Sequence, residues 1–174
     1  KASGAVLGID LSPRRTALSI YTAAGNHQRC ISLDLPLARG SKKDPPIPEI
    51  ERIRRCLKVA SEIVQVIELF SIRHVGIEGY AYDAKHQAHQ IGEVAGVVKS
   101  QIWLKYRIVP RIVQPSAARS HVFGYGGSVS KGDIENIVKT GLGVEVANDH
   151  EADATVVARW TFDTVVAEEK EARA

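Results

Sequence analysis

The chain has 174 residues, of which 44% are hydrophobic and 25% charged, with a formal net charge of +3. That length suits one domain with its own core, and the ordinary composition excludes disordered, collagen-like and disulfide-stapled classes. No apolar run approaches the roughly 20 residues of a membrane helix, and no secretory leader is visible, so an intracellular, reducing setting without a membrane partner is expected.

Lys1-Ala2-Ser3-Gly4 is read as an added or flexible start outside the fold argument, and residues 169–174 as a frayed tail. Residues 5–10 form a short continuous apolar run, as a strand buried on both faces requires. Ser12-Pro13-Arg14-Arg15 follows as a turn, residues 16–21 as a second strand, and Ala24-Gly25-Asn26 as a hairpin turn. Residues 29–35 alternate, with Ile31, Leu33 and Leu35 on one face and Cys30, Ser32 and Asp34 on the other, which predicts a half-buried antiparallel strand. Residues 37–48 form a polar loop with Pro45-Pro46 and paired lysines. A helix is predicted over residues 48–70, with Ile50, Ile53, Leu57, Ala60, Val64 and Ile67 as its apolar stripe and Arg52, Arg55 and Glu62 off it.

Residues 74–78 read as a fourth strand, and residues 84–105 as a helix with Ala88, Ile91, Ala95, Val98 and Ile102 on its apolar side. Gly92 and Gly96 sit four apart in that helix, where each costs roughly 1 kcal/mol relative to alanine. Close packing on a helix or sheet within the chain is one compensation, and a dimer interface is the other. A fifth strand over 108–113 contains Pro110, which suits an edge. A short helix at 115–122, a glycine-rich turn at 124–130, a helix at 131–140 and a last helix from Asp149 to about residue 167 complete the chain. The expected fold is a single α/β domain. It has a five-stranded mixed sheet, three antiparallel N-terminal strands and two further parallel strands, flanked by helices. Cys30 and Cys56 lack CxxC spacing and are read as two buried small hydrophobes.

Three acidic segments stand out against this frame: Val6-Leu7-Gly8-Ile9-Asp10, Val75-Gly76-Ile77-Glu78 and His150-Glu151-Ala152-Asp153-Ala154. Asp10 and Glu78 end strands, where ligand sites of open α/β sheets lie. His150 and Asp153 are one turn apart on one helix face. Singly, each has a bland reading: a turn former, a helix cap, a surface histidine. Together they propose a divalent cation site, with oxygen-rich ligands for Mg²⁺ and an imidazole better tolerated by Mn²⁺. Two such ions, roughly 3.5–4 Å apart, hold a scissile phosphate between an activated water and the leaving 3′ oxygen. The cations Arg14, Arg15, Lys42, Lys43, Arg52, Arg54, Arg55, Lys58, Lys85, Arg107, Arg111, Arg119 and Lys131 would favour a polyanion if several shared a face with the carboxylates.

From Ala5 to about Trp160 the sequence resembles the RuvC family of Holliday-junction resolvases, within the RNase H-like superfamily. Gly8-Ile9-Asp10 is similar to the family's first-strand motif and Ile77-Glu78 to its second acidic position. The segment from Gln90 to Val97 resembles its LGxxxGV helix, and Ala117 to Gly124 the stretch leading to a family glycine. His150-Glu151-Ala152-Asp153-Ala154 matches the DxxDA signature with His in place of the first Asp, a departure that bears on metal preference. The resemblance implies Asp10, Glu78, His150 and Asp153 as catalytic metal ligands and gives no ligand role to Asp149 and Glu151, which lie near the site but off the motif. It implies Mg²⁺ or Mn²⁺, two ions per site, and a homodimer whose two sites nick a four-way junction symmetrically, leaving 5′-phosphate and 3′-hydroxyl ends.

Arg119 and Lys131 fall where the family carries basic residues near the cut strand, and Arg14, Arg15 and Lys85 are placed with them as DNA contacts. Tyr80 and Tyr82 follow the second acid at offsets different from the family's junction-wedging aromatic, and either could stack on bases. The 37–48 loop is longer and more basic than in bacterial members, which suits a phage-type or divergent relative. Branched DNA is the expected partner, with branch-migration machinery a further one, in the cytoplasm or wherever DNA recombines. The rivals are a flap or general branched-DNA nuclease, a DNA-binding module without activity, and an actin-like or sugar-kinase domain, for which one domain is too short.

Overall fold

The computed structural model describes residues 2–12, 15–34, 47–79, 88–124 and 131–174. Most of the loop predicted at 37–48 and the turn after Gly124 lie outside the described residues, as do Arg14, Tyr80, Tyr82 and Lys85. The elements are β1 (Ala5–Asp10), β2 (Thr16–Tyr21), β3 (His27–Leu33), α1 (Glu49–Leu69), β4 (Ile72–Glu78), α2 (Ala88–Tyr106), β5 (Arg111–Val113), α3 (Pro115–Phe123), α4 (Lys131–Leu142) and α5 (Asp149–Glu171). They build one sheet of order β3-β2-β1-β4-β5. The first three strands are antiparallel neighbours, while β4 runs parallel to β1 and β5 parallel to β4.

Because side chains alternate along a strand, each face of this sheet has its own partner. Leu7, Ile9, Leu18, Ile20, Val75 and Ile77 pack on one side with Val59, Ile63 and Ile67 of α1 and Val94, Val98 and Ile102 of α2. On the other side lies α5, whose Ala158, Phe162 and Val165 cover Val6 and Tyr21. A further cluster joins Ala118 of α3 and Ile134 and Val138 of α4 to Ala152, Val156 and Val157 of α5. Among the described residues, no helix is long and apolar enough to cross a membrane.

The predicted architecture is the observed one, with local differences. Among the described residues β3 runs from His27 to Leu33, paired with β2 from Tyr21 to Thr16, so it begins two residues before the predicted start; Leu35, the predicted end, lies outside the described residues. Pairing of β5 starts only at Arg111, since Pro110 has no N–H to donate. On α1 the buried positions are Cys56, Val59, Ala60, Ile63, Val66 and Ile67, whereas Ile50, Ile53 and Leu57 are 57%, 46% and 49% exposed. The stripe predicted there is therefore corrected. α1 packs chiefly on α2 and only lightly on β4, and these three side chains of its first half are left uncovered among the described residues.

The chain start also differs. Ala2 is buried and its N–H bonds to the Ala23 carbonyl, while the Ser3 N–H bonds to Glu169, so this stretch is part of the fold and α5 stays helical to Glu171. Cys56 is buried but Cys30 only partly so, and both are free thiols. A Cβ placed on Gly92 or Gly96 meets no heavy atom within 4 Å, so packing within the described chain does not account for either glycine.

Candidate active site

The register Gly8↔Gly76 and Ile9↔Ile77 carries β1 and β4 in step to their carboxyl ends. Asp10 and Glu78 follow directly, on neighbouring parallel strands about 4.8 Å apart. With a period of two, Asp10 shares a face with Gly8 and Glu78 with Gly76. That face is the one α5 covers. A Cβ on Gly8 would overlap the Ala154 carbonyl and the Ala158 nitrogen, and one on Gly76 would overlap the Thr161 hydroxyl. The two glycines thus let α5 lie directly on β1 and β4, which brings its first turn to the two carboxylates.

Asn148 caps α5, its side chain accepting from the Glu151 N–H. Two residues after the cap, His150 Nδ1 lies 2.6 Å from Asp10 Oδ2. Asp153, one turn on, accepts from Arg119 of α3 at 2.7 Å. Both partners of that ion pair are largely buried, with side-chain exposures of 17% and 19%.

Burial pushes the Glu78 carboxyl well above its ordinary range, and the charges of Asp10 and Asp153 push it further; Arg119 opposes them. Burial likewise raises Asp153, against the hydrogen bond and charge of Arg119. Glu78 Oε2 and Arg119 Nε are both sealed from solvent without a hydrogen-bond partner among the described residues. A carboxylate oxygen without a donor and a guanidinium N–H without an acceptor, in one site, are the complements of a cation and an anion.

Among the described residues, no three acidic, histidine or cysteine side chains already form a cation cage. Instead, His150 rests on Asp10 and Arg119 on Asp153. The donor set still suits a hard divalent cation, since Asp10, Glu78 and Asp153 supply oxygens whose mutual repulsion a cation would relieve. The unsatisfied Glu78 Oε2 is the specific point at which the set is incomplete.

The raised Glu78 carboxyl has a consequence for stability. Such a group binds more protons in the folded than in the unfolded chain. Its contribution is full below the unfolded value, 4.5, and is lost as pH rises through the raised folded value. In chelator, the melting temperature should therefore decline as pH climbs above 4.5, more steeply in the wild type than in Glu78→Gln. Thermal denaturation across pH tests this, and equal slopes in the two proteins would contradict it.

The fold thus brings Asp10, Glu78, His150 and Asp153 together, with Arg119 beside them. Arg15 does not face the site unpaired: its Nε lies 2.6 Å from Asp34 Oδ1 at the surface. Arg52 pairs with Glu93 and Glu49, Arg55 with Glu51 and Arg111 with Glu168, so these cations do not form a free basic face. Lys131 opens α4. Glu151 is buried and turns away from the carboxylates, accepting from Ser32 and from the Ala147 N–H. Nothing in the sequence pairs Glu151 with Ser32; their contact depends on α5 lying across β3.

No protein-family model and no curated protein matches the chain. Among solved structures, RuvC from Thermus thermophilus superposes with a TM-score of 0.70 at 18% identity, covering 95% of this chain and 96% of that one. The same organism's RuvC in complex with a Holliday junction substrate gives 0.72 at 17% identity, over 94% and 96% of the two chains. The chain therefore has the RuvC-type, RNase H-like fold.

Proposed function

We propose that the chain is a divalent-cation-dependent endonuclease that nicks branched DNA, with the four-way junction as its substrate. The observation that carries this reading is the pair of unsatisfied groups, Glu78 Oε2 and Arg119 Nε, within a set of three mutually repelling carboxylates. One group calls for a cation and the other for an anionic oxygen, and a metal-bound phosphodiester supplies both. The fold shared with an RuvC that was solved on a Holliday junction substrate favours branched DNA as the source of that phosphate.

Asp10, Glu78, His150 and Asp153 would hold Mg²⁺ or Mn²⁺, two ions per site. When bound, such ions lower the pKa of coordinated water and offset charge on the phosphate. The protein's own groups do the rest. The Arg119 guanidinium, anchored through one nitrogen on Asp153, directs its remaining N–H toward phosphate charge that grows in the transition state. His150 would serve as a ligand through one ring nitrogen, and Asp10, 2.6 Å from its Nδ1, is the neighbour that orients the ring. Water attacks phosphorus and the 3′ oxygen leaves, giving 5′-phosphate and 3′-hydroxyl ends.

Paired nicks on opposite strands of a junction require two such sites, hence a homodimer. Exposed apolar side chains on α1, with Ile53 and Leu57 lining a cleft against Glu93 and Val97 of α2, and the open Gly92 and Gly96 on α2 support this assembly. Cleavage of a mobile four-way junction, a flap and a linear duplex with Mg²⁺ or Mn²⁺ tests the proposal. The expected result is symmetric nicking of the junction in preference to the others. Preferential cutting of the flap would make the protein a broader branched-DNA nuclease, and junction binding without any cutting would reduce it to a binding module.

A further inference from the structure

The first turn of α5 is held at two points along one row of the sheet. In the strand registers Asp10 pairs with Ala17, and Ala17 with Ser32, so these three residues form a single line across β1, β2 and β3. Residues directly opposite one another share a face, and the line spans two strand spacings, roughly 10 Å. His150 meets one end of it, at 2.6 Å from Asp10. Glu151 meets the other, its Oε1 accepting from the Ser32 hydroxyl at 2.7 Å. Its second oxygen accepts from the Ala147 N–H at 2.9 Å, just before the helix cap, and its own N–H bonds to Asn148 Oδ1 at 3.0 Å. One turn on, Thr155 donates to the Glu151 carbonyl and lies 3.1 Å from Ser19 Oγ.

The two ends of this clamp differ in kind. The His150–Asp10 contact joins two groups that the proposed function needs as cation ligands, so it belongs to the site itself. The Glu151–Ser32 contact involves no ligand. Only 8% of Glu151 is exposed, and both its carboxylate oxygens are already engaged by protein donors. We propose that Glu151 is a positioning residue: it fixes the rotation of α5 about its axis through Ser32, keeping its neighbours His150 and Asp153 aimed at Asp10 and Glu78. This rests on the reading of His150 and Asp153 as ligands.

The test compares wild type, Glu151→Ala, Glu151→Gln and Ser32→Ala at a temperature where each is folded. Mn²⁺ binding is measured from the electron paramagnetic resonance signal of the free ion, and junction nicking under single turnover. Junction affinity is measured in chelator. Glu151→Ala should weaken Mn²⁺ binding and slow nicking by about tenfold or more, the scale of losing a partner that orients ligands. Junction affinity in chelator should stay unchanged. Ser32→Ala should shift Mn²⁺ binding in the same direction by less, and should add nothing on the Glu151→Ala background. Glu151→Gln, which keeps an acceptor oxygen, should restore part of the loss.

Wild-type Mn²⁺ affinity in Glu151→Ala would overturn the proposal, and in Ser32→Ala would do so should Glu151→Ala not fold. A fall in melting temperature alone, with Mn²⁺ affinity intact, would also overturn it. If the wild type binds Mn²⁺ but leaves junctions uncut, the nuclease reading fails and the Mn²⁺ comparison still decides the role of Glu151. If the wild type binds no Mn²⁺, both fail.

Discussion

Asp10→Asn is expected to slow nicking by orders of magnitude while leaving junction binding intact. The amide has nearly the volume of the carboxylate, so β1 and its neighbours have no reason to move. What changes is charge. Asp10 sits at the centre of the site, 2.6 Å from His150 and close enough to Glu78 to raise its carboxyl pKa. On the proposed function, its loss removes an anionic ligand from the cation site and leaves the remaining oxygens a weaker hold. The nicking rate should fall by roughly 10²–10³-fold, the scale seen when one charge-stabilising group leaves a water-excluded site. Binding to a junction in chelator should be unchanged or slightly tighter, because a negative charge has left the surface that receives phosphates. The same substitution should lower the Glu78 pKa toward its ordinary range, since one of the charges that raises it is gone. A rate within tenfold of wild type would remove Asp10 from the machinery.

Some of this site can be read from the sequence, for identifiable reasons. A strand buried on both faces is a continuous apolar run, so an acid at its end is conspicuous, and both Asp10 and Glu78 meet that description. His150 and Asp153 are readable because helical spacing alone puts them on one side. Glu151 is not, since its partner Ser32 lies 119 positions away and only the sheet register aligns it with Asp10. The α1 stripe misleads for a related reason. Periodicity gives a helix an apolar side, but not how far that side is covered, and on α1 the positions Ile50, Ile53 and Leu57 stay exposed. The cations mislead differently. Arg15, Arg52, Arg55 and Arg111 each lie near an acid in the fold, which composition cannot reveal.

The glycines of the two strand motifs have a role that spacing does not disclose, and it yields the largest effect on stability. In Gly8→Ala the new Cβ would overlap the Ala154 carbonyl and the Ala158 nitrogen and lie 2.7 Å from Ala158 Cα. All of these are backbone atoms of α5, so no rotamer change relieves the clash. The helix must lift from β1, or the fold must yield. Overpacking of this kind typically costs about 1–3 kcal/mol and occasionally more, and the rigid neighbours here place Gly8→Ala at about 3 kcal/mol or above. For a domain of this size that lowers the melting temperature by roughly 10 °C. A displaced α5 also carries His150 and Asp153 away from Asp10 and Glu78, so the folded fraction should nick about 10²-fold more slowly. Gly76→Ala should be milder, because its nearest neighbour is the side-chain hydroxyl of Thr161. Gly92→Ala is the opposite case: nothing lies within 4 Å, and the helix gains roughly 0.8–1 kcal/mol in propensity. That gain should appear as a higher melting temperature, and, should a second copy pack on this face as proposed, sedimentation should show the variant associating more weakly. Thermal denaturation of the three variants ranks them, and a Gly8→Ala protein as stable and active as wild type would show that α5 does not depend on that glycine to reach the site.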